Sequence, residues 1–319
     1  MKKSSQFLSA VLIAALFLFQ GSGISAAEFP TKPITLVVGF GAGGMTDVCS
    51  RLFADKIGEF LGQKVIVENK PGAGGFTALK SVIEGSADGY TFVSFSSSTA
   101  AGTRLLGRPM DIEQIGLLGS TMTQERVLFA AKDAPFETFE EFMAYANEKP
   151  VTFGSGGSIW ADQVVEAMGK QLGLQLRMLP FKSGAEASAA ILGGHVMLAE
   201  TGVGTGAWQS ALKGGLKVLA VLTDGDLKDY GFPDVKSIKD YDVKYYVRMY
   251  YGYAVPSAVP EERRQRLEAA IQFAVEHPEV AVKMKELDLY PKFLPATAQK
   301  PIIEAVFKEA AELTAFIKK

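Results

Sequence analysis

The stretch "GFGAGGMTDV", residues 39–48, follows the apolar run "ITLVV" and leads into a helical pattern. Gly39, Gly41 and Gly44 spell G-x-G-x-x-G, and Glu68 ends a second strand-like run, "VIVEN", 24 residues past Gly44. A strand, a glycine fingerprint, a helix and an acidic residue at the next strand end describe a dinucleotide-binding unit. The same glycines serve any small anion, because they let a ligand approach the free N–H groups at a helix start. The rest of the chain decides which anion is meant.

The N-terminus sets the compartment. "MKKSSQ" is cationic, "FLSAVLIAALFLF" is an apolar stretch of 13 and "QGSGISAA" supplies small residues, the layout of a secretory signal peptide. The apolar stretch falls short of the roughly 20 residues of a spanning helix. Cleavage is expected between Ala27 and Glu28, leaving 292 residues with 31 basic and 35 acidic side chains. That balance has no basic excess to attract nucleic acid. Cys49 is the only cysteine, so no internal disulfide is expected, and its helical setting suits a small buried apolar residue. His195 and His277 are the only histidines, and no Cys/His cluster has metal spacing, so neither a metal nor a cofactor is expected.

Along the chain, strands and helices alternate, which predicts parallel sheets covered by helices on both faces. "DVCSRLFADKIGEFLG" sets Val48, Leu52, Phe53, Ile57, Phe60 and Leu61 on one stripe. "PEERRQRLEAAIQFAVEHPEVAVKMKEL" reads as one long helix, and "PATAQKPIIEAVFKEAAELTAFIKK", residues 295–319, as a final one. Extended segments near 124–131 and 245–255 are placed to pass between two sheets. The expectation is two α/β lobes, the second inserted into the first, with a ligand cleft at the carboxyl ends of the strands.

A second glycine turn supports this. "GSGGSIWAD", from Gly154 to Asp162, repeats the G-x-G-G form of "GAGGMTD", from Gly41 to Asp47. Each turn precedes an amphipathic helix whose first amides lack internal partners and carry the positive end of the helix dipole. Two such cups facing each other suit one anion. Thr46, Ser155 and Ser158 add hydroxyl donors, while Asp47 either caps the turn or holds a water or an amine. Ser96 and Ser97 of "SSST", and Glu200 and Thr201 of "AETG", end strands at the same edge. Arg126 and Arg248 fall near the proposed crossings, where each can pair with a ligand carboxylate or make a hinge salt bridge. Trp160 can stack on a ligand or pack in a core.

These residues carry a resemblance. "FPTKPITLVVGFGAGGMTD", "LGQKVIVENKPGAGG", "DGYTFVSFSSS", "VTFGSGG", "LPFKSG" and "YGYAVPSAVPEERRQRL" are together similar to the substrate-binding proteins of tripartite tricarboxylate transporters, the Bug-type extracytoplasmic receptors. The match is densest from Phe29 to Ser98. It implies a type II periplasmic binding protein fold, two α/β lobes with a cleft and a two-strand hinge: residues 28–125 plus 250–319 as lobe 1 and 126–249 as lobe 2. It implies a monomeric periplasmic receptor, not an enzyme, that captures an organic carboxylate and delivers it to membrane permease subunits. Ligand contacts map to Phe40, Gly41, Gly43, Gly44, Thr46 and Asp47, to Ser155, Gly156, Gly157 and Ser158, and to Glu200 and Thr201. The chain departs from the family at Gly39, where a proline is common, at Met197, where an aspartate is usual, and in the aromatic "RMYYGY".

A dinucleotide-dependent oxidoreductase is the main rival. The signal peptide opposes it, and Glu68 runs straight into another glycine turn, "NKPGAGG". A receptor that signals rather than transports has the same sequence features. A secreted hydrolase lacks a G-x-S-x-G elbow and a histidine with a serine partner.

Overall fold

The computed structural model describes residues 29–108, 110–155, 158–181 and 183–318. The expected signal peptide, residues 1–27, lies outside them, as do Gly156, Gly157 and Lys182. The chain opens with β1 (Ile34–Val38), whose apolar side chains are buried, then α1 (Met45–Leu61) and β2 (Val65–Asn69). Gly62 ends α1 in the left-handed conformation, φ 66°, its N–H bonded to Gly58 O. There follow α2 (Phe76–Ile83), β3 (Thr91–Ser96), α3 (Ser97–Leu105) and β4 (Ile115–Thr123). After Gln124 and Glu125 the chain enters a second sheet.

That sheet begins with β5 (Arg126–Ala131), then α4 (Phe139–Glu148), β6 (Val151–Ser155) and α5 (Ile159–Leu172). It continues through β7 (Leu176–Pro180), α6 (Gly184–Leu192), β8 (Leu198–Gly202), α7 (Gly206–Ala211) and β9 (Leu216–Val221). The return brings β10 (Tyr250–Pro256), α8 (Glu261–Glu276), α9 (Pro278–Lys285), β11 (Pro291–Leu294) and α10 (Ala296–Ile317). The strand orders are β11-β4-β10-β3-β1-β2 and β7-β6-β8-β5-β9.

Neither sheet is wholly parallel, in contrast to the sequence expectation. β1 pairs β2 and β3 in parallel and β6 pairs β7 and β8 in parallel, but β10 is antiparallel to β3 and β4, and β5 to β8 and β9. A strand that enters a sheet from its neighbour must run opposite to strands whose carboxyl ends point at that neighbour. β5 and β10 are those entering strands. Two other features escape the sequence pattern. β4 carries a glycine at 119 that breaks its apolar run, and β11 has four residues. The single long helix expected from Glu261 is two, because Pro278 has no N–H to donate; it starts α9 while His277 caps both.

Leu36, Phe53, Phe92, Tyr253 and Leu267 pack between α1, α8 and the first sheet. A second core, with Phe129, Phe142, Phe153, Trp160 and Trp208, fills the other sheet and continues through Phe95, Ile303 and Val306 beside α10. Each fully buried large side chain contributes about 1.5–3 kcal/mol.

Candidate ligand site

The first glycine turn is held rigid from within. Asp47, in the first turn of α1, is buried, and its Oδ2 accepts from the Gly43 N–H at 2.9 Å. Its Oδ1 accepts from Asn69 Nδ2 at 2.8 Å, and Arg51 Nε bonds both oxygens at 3.1 Å. Asn69 Nδ2 also reaches Phe40 O at 3.1 Å, and Arg51 Nη2 closes the loop on Asn69 Oδ1 at 3.0 Å. Burial alone would raise the Asp47 carboxyl, but the bonds from Arg51, Gly43 and Asn69 outweigh it and hold it below its usual 3.8. Asp47 therefore shapes the turn. Gly43 supplies φ 76°, and a side chain on Gly39 would collide with the backbone of Gly75.

Gly41 and Gly43 are exposed and Phe40, Gly44 and Thr46 half-buried, so the turn presents its backbone outward. Gly44, at the N-cap of α1, offers no side-chain cap to the first amides. Ser158, at the N-cap of α5, makes no capping bond either; its Oγ shares a 3.0 Å hydrogen bond with Ser98 Oγ of α3. By contrast α3 and α6 are capped by Ser96 and Ser183. The N-terminal amides of α1 and α5 are thus left open to an outside acceptor. Both turns border the loop at Gly74 and Gly75: the Ile159 side chain lies close to Gly74 and near Gly102, and the Phe40 ring lies against Gly75.

Beneath the first turn lies a cavity of about 20 Å³, bordered by Phe40, Thr46, Ser94, Ser96, Thr121 and Tyr251. That volume takes one water. Ser96 spends its Oγ capping Thr99 N at 3.1 Å. Ser97 faces away from the turns: its Oγ donates to Arg248 O and accepts from the Tyr250 N–H at 2.9 Å, joining α3 to the return crossing.

In the second sheet Ser155 is half-buried at the end of β6, while Glu200 and Thr201 are fully buried at the end of β8. Thr201 Oγ1 is 2.5 Å from Thr205 Oγ1. Arg126 donates to Glu200 Oε2 through Nε at 2.9 Å and Nη2 at 2.5 Å. Arg248 pairs with Glu309 and lies 4.0 Å from Asp224. Both arginines make ion pairs at the crossings. Trp160 is buried in the core, and Cys49 is buried too. Glu68 is exposed, and its neighbour Asn69 is the side chain that faces the turn.

Sequence reasoning overlooked Gln124, Asn69, Arg51 and Tyr251. Gln124 Nε2 donates to Val203 O at 2.6 Å while its Oε1 accepts from the Tyr251 hydroxyl at 2.8 Å. Only the i, i+4 spacing of Asp47 and Arg51 was a usable signal. The other partners are distant in sequence.

The chain has relatives. The model of the tripartite tricarboxylate transporter family receptor matches residues 49–314. This chain belongs to that family. The receptor is 30% identical over 275 residues to the UPF0065 protein in the gbd 5′ region of Cupriavidus necator, covering 84% of this chain and 82% of the relative. Its fold is that of the periplasmic binding protein BugD, with TM-score 0.80 at 23% identity over 91% of this chain and 99% of the other. It also matches an R. palustris protein solved with adipate, TM-score 0.80 at 21% identity, over 91% of this chain and 99% of that one. The receptor thus has the expected periplasmic binding protein fold, and no helix among its described residues is long and apolar enough to cross a membrane.

Proposed function

We propose that the receptor captures a small organic carboxylate between its two glycine turns and delivers it to the permease subunits of its transporter. The observation that supports this reading is the pair of uncapped helix starts, at Gly44 and Ser158, with Ser158 tied to α3 of the first sheet. A carboxylate there accepts from backbone amides of α1 and α5, and each charged hydrogen bond is worth about 1.5–3 kcal/mol. Three or four of them support micromolar binding, about 8 kcal/mol, after ordering costs. Phe40, Gly41, Gly43, Gly44 and Thr46 would line one side, with Ser155, Gly156, Gly157 and Ser158 on the other. Asp47 would act by shaping the first turn.

The working unit is a two-lobe clamp, residues 28–125 plus 250–319 against 126–249, hinged at 124–125 and 247–249. The open form offers both turns to solvent, and closure covers the ligand and strengthens its hydrogen bonds. The receptor works as a monomer in the periplasm after cleavage at Ala27, binding no nucleic acid and catalysing no reaction. The adipate held by its R. palustris neighbour and the family's transporter role support the carboxylate reading. Calorimetric titration of residues 28–319 with mono-, di- and tricarboxylates, and with NAD, tests the reading. Micromolar binding of at least one acid is expected; NAD binding with no response to any acid overturns it.

A further inference from the structure

We infer that Glu200 is a specificity residue that accepts a hydrogen bond from a hydroxyl or ammonium group on the bound acid. The receptor is therefore selective for hydroxy- or amino-carboxylates over plain ones. This rests on the carboxylate reading above and narrows the substrate within it.

Three observations place the residue. Glu200 is fully buried, yet only Oε2 is engaged: both Arg126 nitrogens converge on it, and the buried Oε1 has no hydrogen-bond partner. A buried carboxylate oxygen without a donor is costly and uncommon in a folded domain. Second, Glu200 stands beside the second glycine turn. β6 and β8 run in parallel with Gly154 opposite Ala199, so Ser155 is level with Glu200 one strand spacing away, about 4.8 Å. Third, the Arg126–Glu200 pair faces the junction of the sheets. Asp162 in the first turn of α5 and Tyr251 of β10 both act on the Arg126 guanidinium, and Tyr251 also borders the cavity under the first turn.

Arg126 already pairs with Oε2, so the vacant Oε1 calls for a hydrogen-bond donor, neutral or cationic. A carboxylate cannot supply one. With the ligand's carboxylate on the amides of α1 and α5, a hydroxyl or ammonium on a nearby carbon is the group that reaches Oε1. A site built around a buried acceptor rejects an analogue lacking the donor, because the acceptor is then left unpaired.

The test is titration of the wild-type protein with matched acids: succinate, malate and aspartate; propionate, lactate and alanine; glutarate, 2-hydroxyglutarate and glutamate. The assignment expects the hydroxy or amino member of the bound series to exceed the plain acid by at least tenfold. Glu200→Gln keeps the shape but has a single acceptor oxygen, which Arg126 claims, so an NH2 group replaces Oε1. The preference for the hydroxy or amino member should fall tenfold or more, and a preference that survives unchanged overturns the assignment. The ratio within a series is read because a purely structural role would scale all members alike. Equal binding of plain and substituted acids overturns the assignment and leaves the carboxylate receptor standing. No binding by any acid overturns both.

Discussion

Ser98 of α3 and Ser158 before α5 share a 3.0 Å hydrogen bond that ties the first sheet's lobe to the second glycine turn. The hydroxyl that would cap α5 is thereby turned to the opposite lobe, and the helix amides stay open. In the proposed clamp this contact would couple closure to the shape of the site.

Ser98→Ala removes the tie without touching the turn. Loss of a neutral hydrogen bond of this kind costs about 0.5–1.5 kcal/mol. Ligand affinity should fall about 2- to 12-fold by calorimetry. Small-angle scattering of the unliganded variant should show a larger mean radius than wild type. An unchanged affinity and radius would mean that the contact plays no part in closure.

Asp47→Ala should loosen the first turn, because Gly43, Asn69 and Arg51 all lose their common acceptor. A cost of about 1–3 kcal/mol is expected in chemical unfolding. The folded-state carboxyl lies below 3.8, so its contribution is present above that value and is lost as pH falls through the folded pKa. Wild type should therefore show an acid-side loss of stability that the alanine variant shows more weakly.

Glu125 sits in the β4–β5 crossing, where its Oε2 accepts from the Thr223 hydroxyl. Burial first, then the charges of Asp224 and Asp226, push its carboxyl up from 4.5 to about 7. A raised acid favours the folded state fully below pH 4.5, and that contribution is lost as pH rises through 7. Glu125→Gln should flatten the decline in melting temperature across this window and melt higher than wild type at pH 8. A steeper decline in the variant would contradict the assignment.

Cys49 is buried and its thiol is pushed up to about 12 by that burial, which keeps it from forming the reactive thiolate at neutral pH. A chromogenic disulfide reagent should find no reactive thiol in the native protein and one per chain in denaturant. Rapid native labelling would show that α1 opens.

The local signals were legible in sequence because each rests on neighbours in the chain. Apolar runs such as "ITLVV" gave buried strands, and the spacing of Phe53, Ile57 and Leu61 gave a helix face. The expectation of two glycine turns that could serve an anion rests on residues 39–47 and 154–158 alone. The burial of Cys49 was readable from its apolar surroundings. The strand β4, broken by Gly119, and the reversed direction of β5 and β10 were not, since pairing direction depends on where the chain comes from.

Side-chain roles belonged to the tertiary structure. In sequence, Asp47 was equally a cap or a ligand group, and Asn69, 22 residues on, had no visible link to it; folding made them partners at 2.8 Å. Arg126 and Glu200 are 74 positions apart, and only the β5–β8 pairing brings them together, with one oxygen of the acid engaged and the other vacant. The chain alone thus determined two strand, glycine-turn and helix units, the parts of the anion cup proposed above. Which polar groups are already satisfied, and which still wait for a partner, is a property of long-range packing, because a hydrogen bond is decided by distance in space and not along the chain.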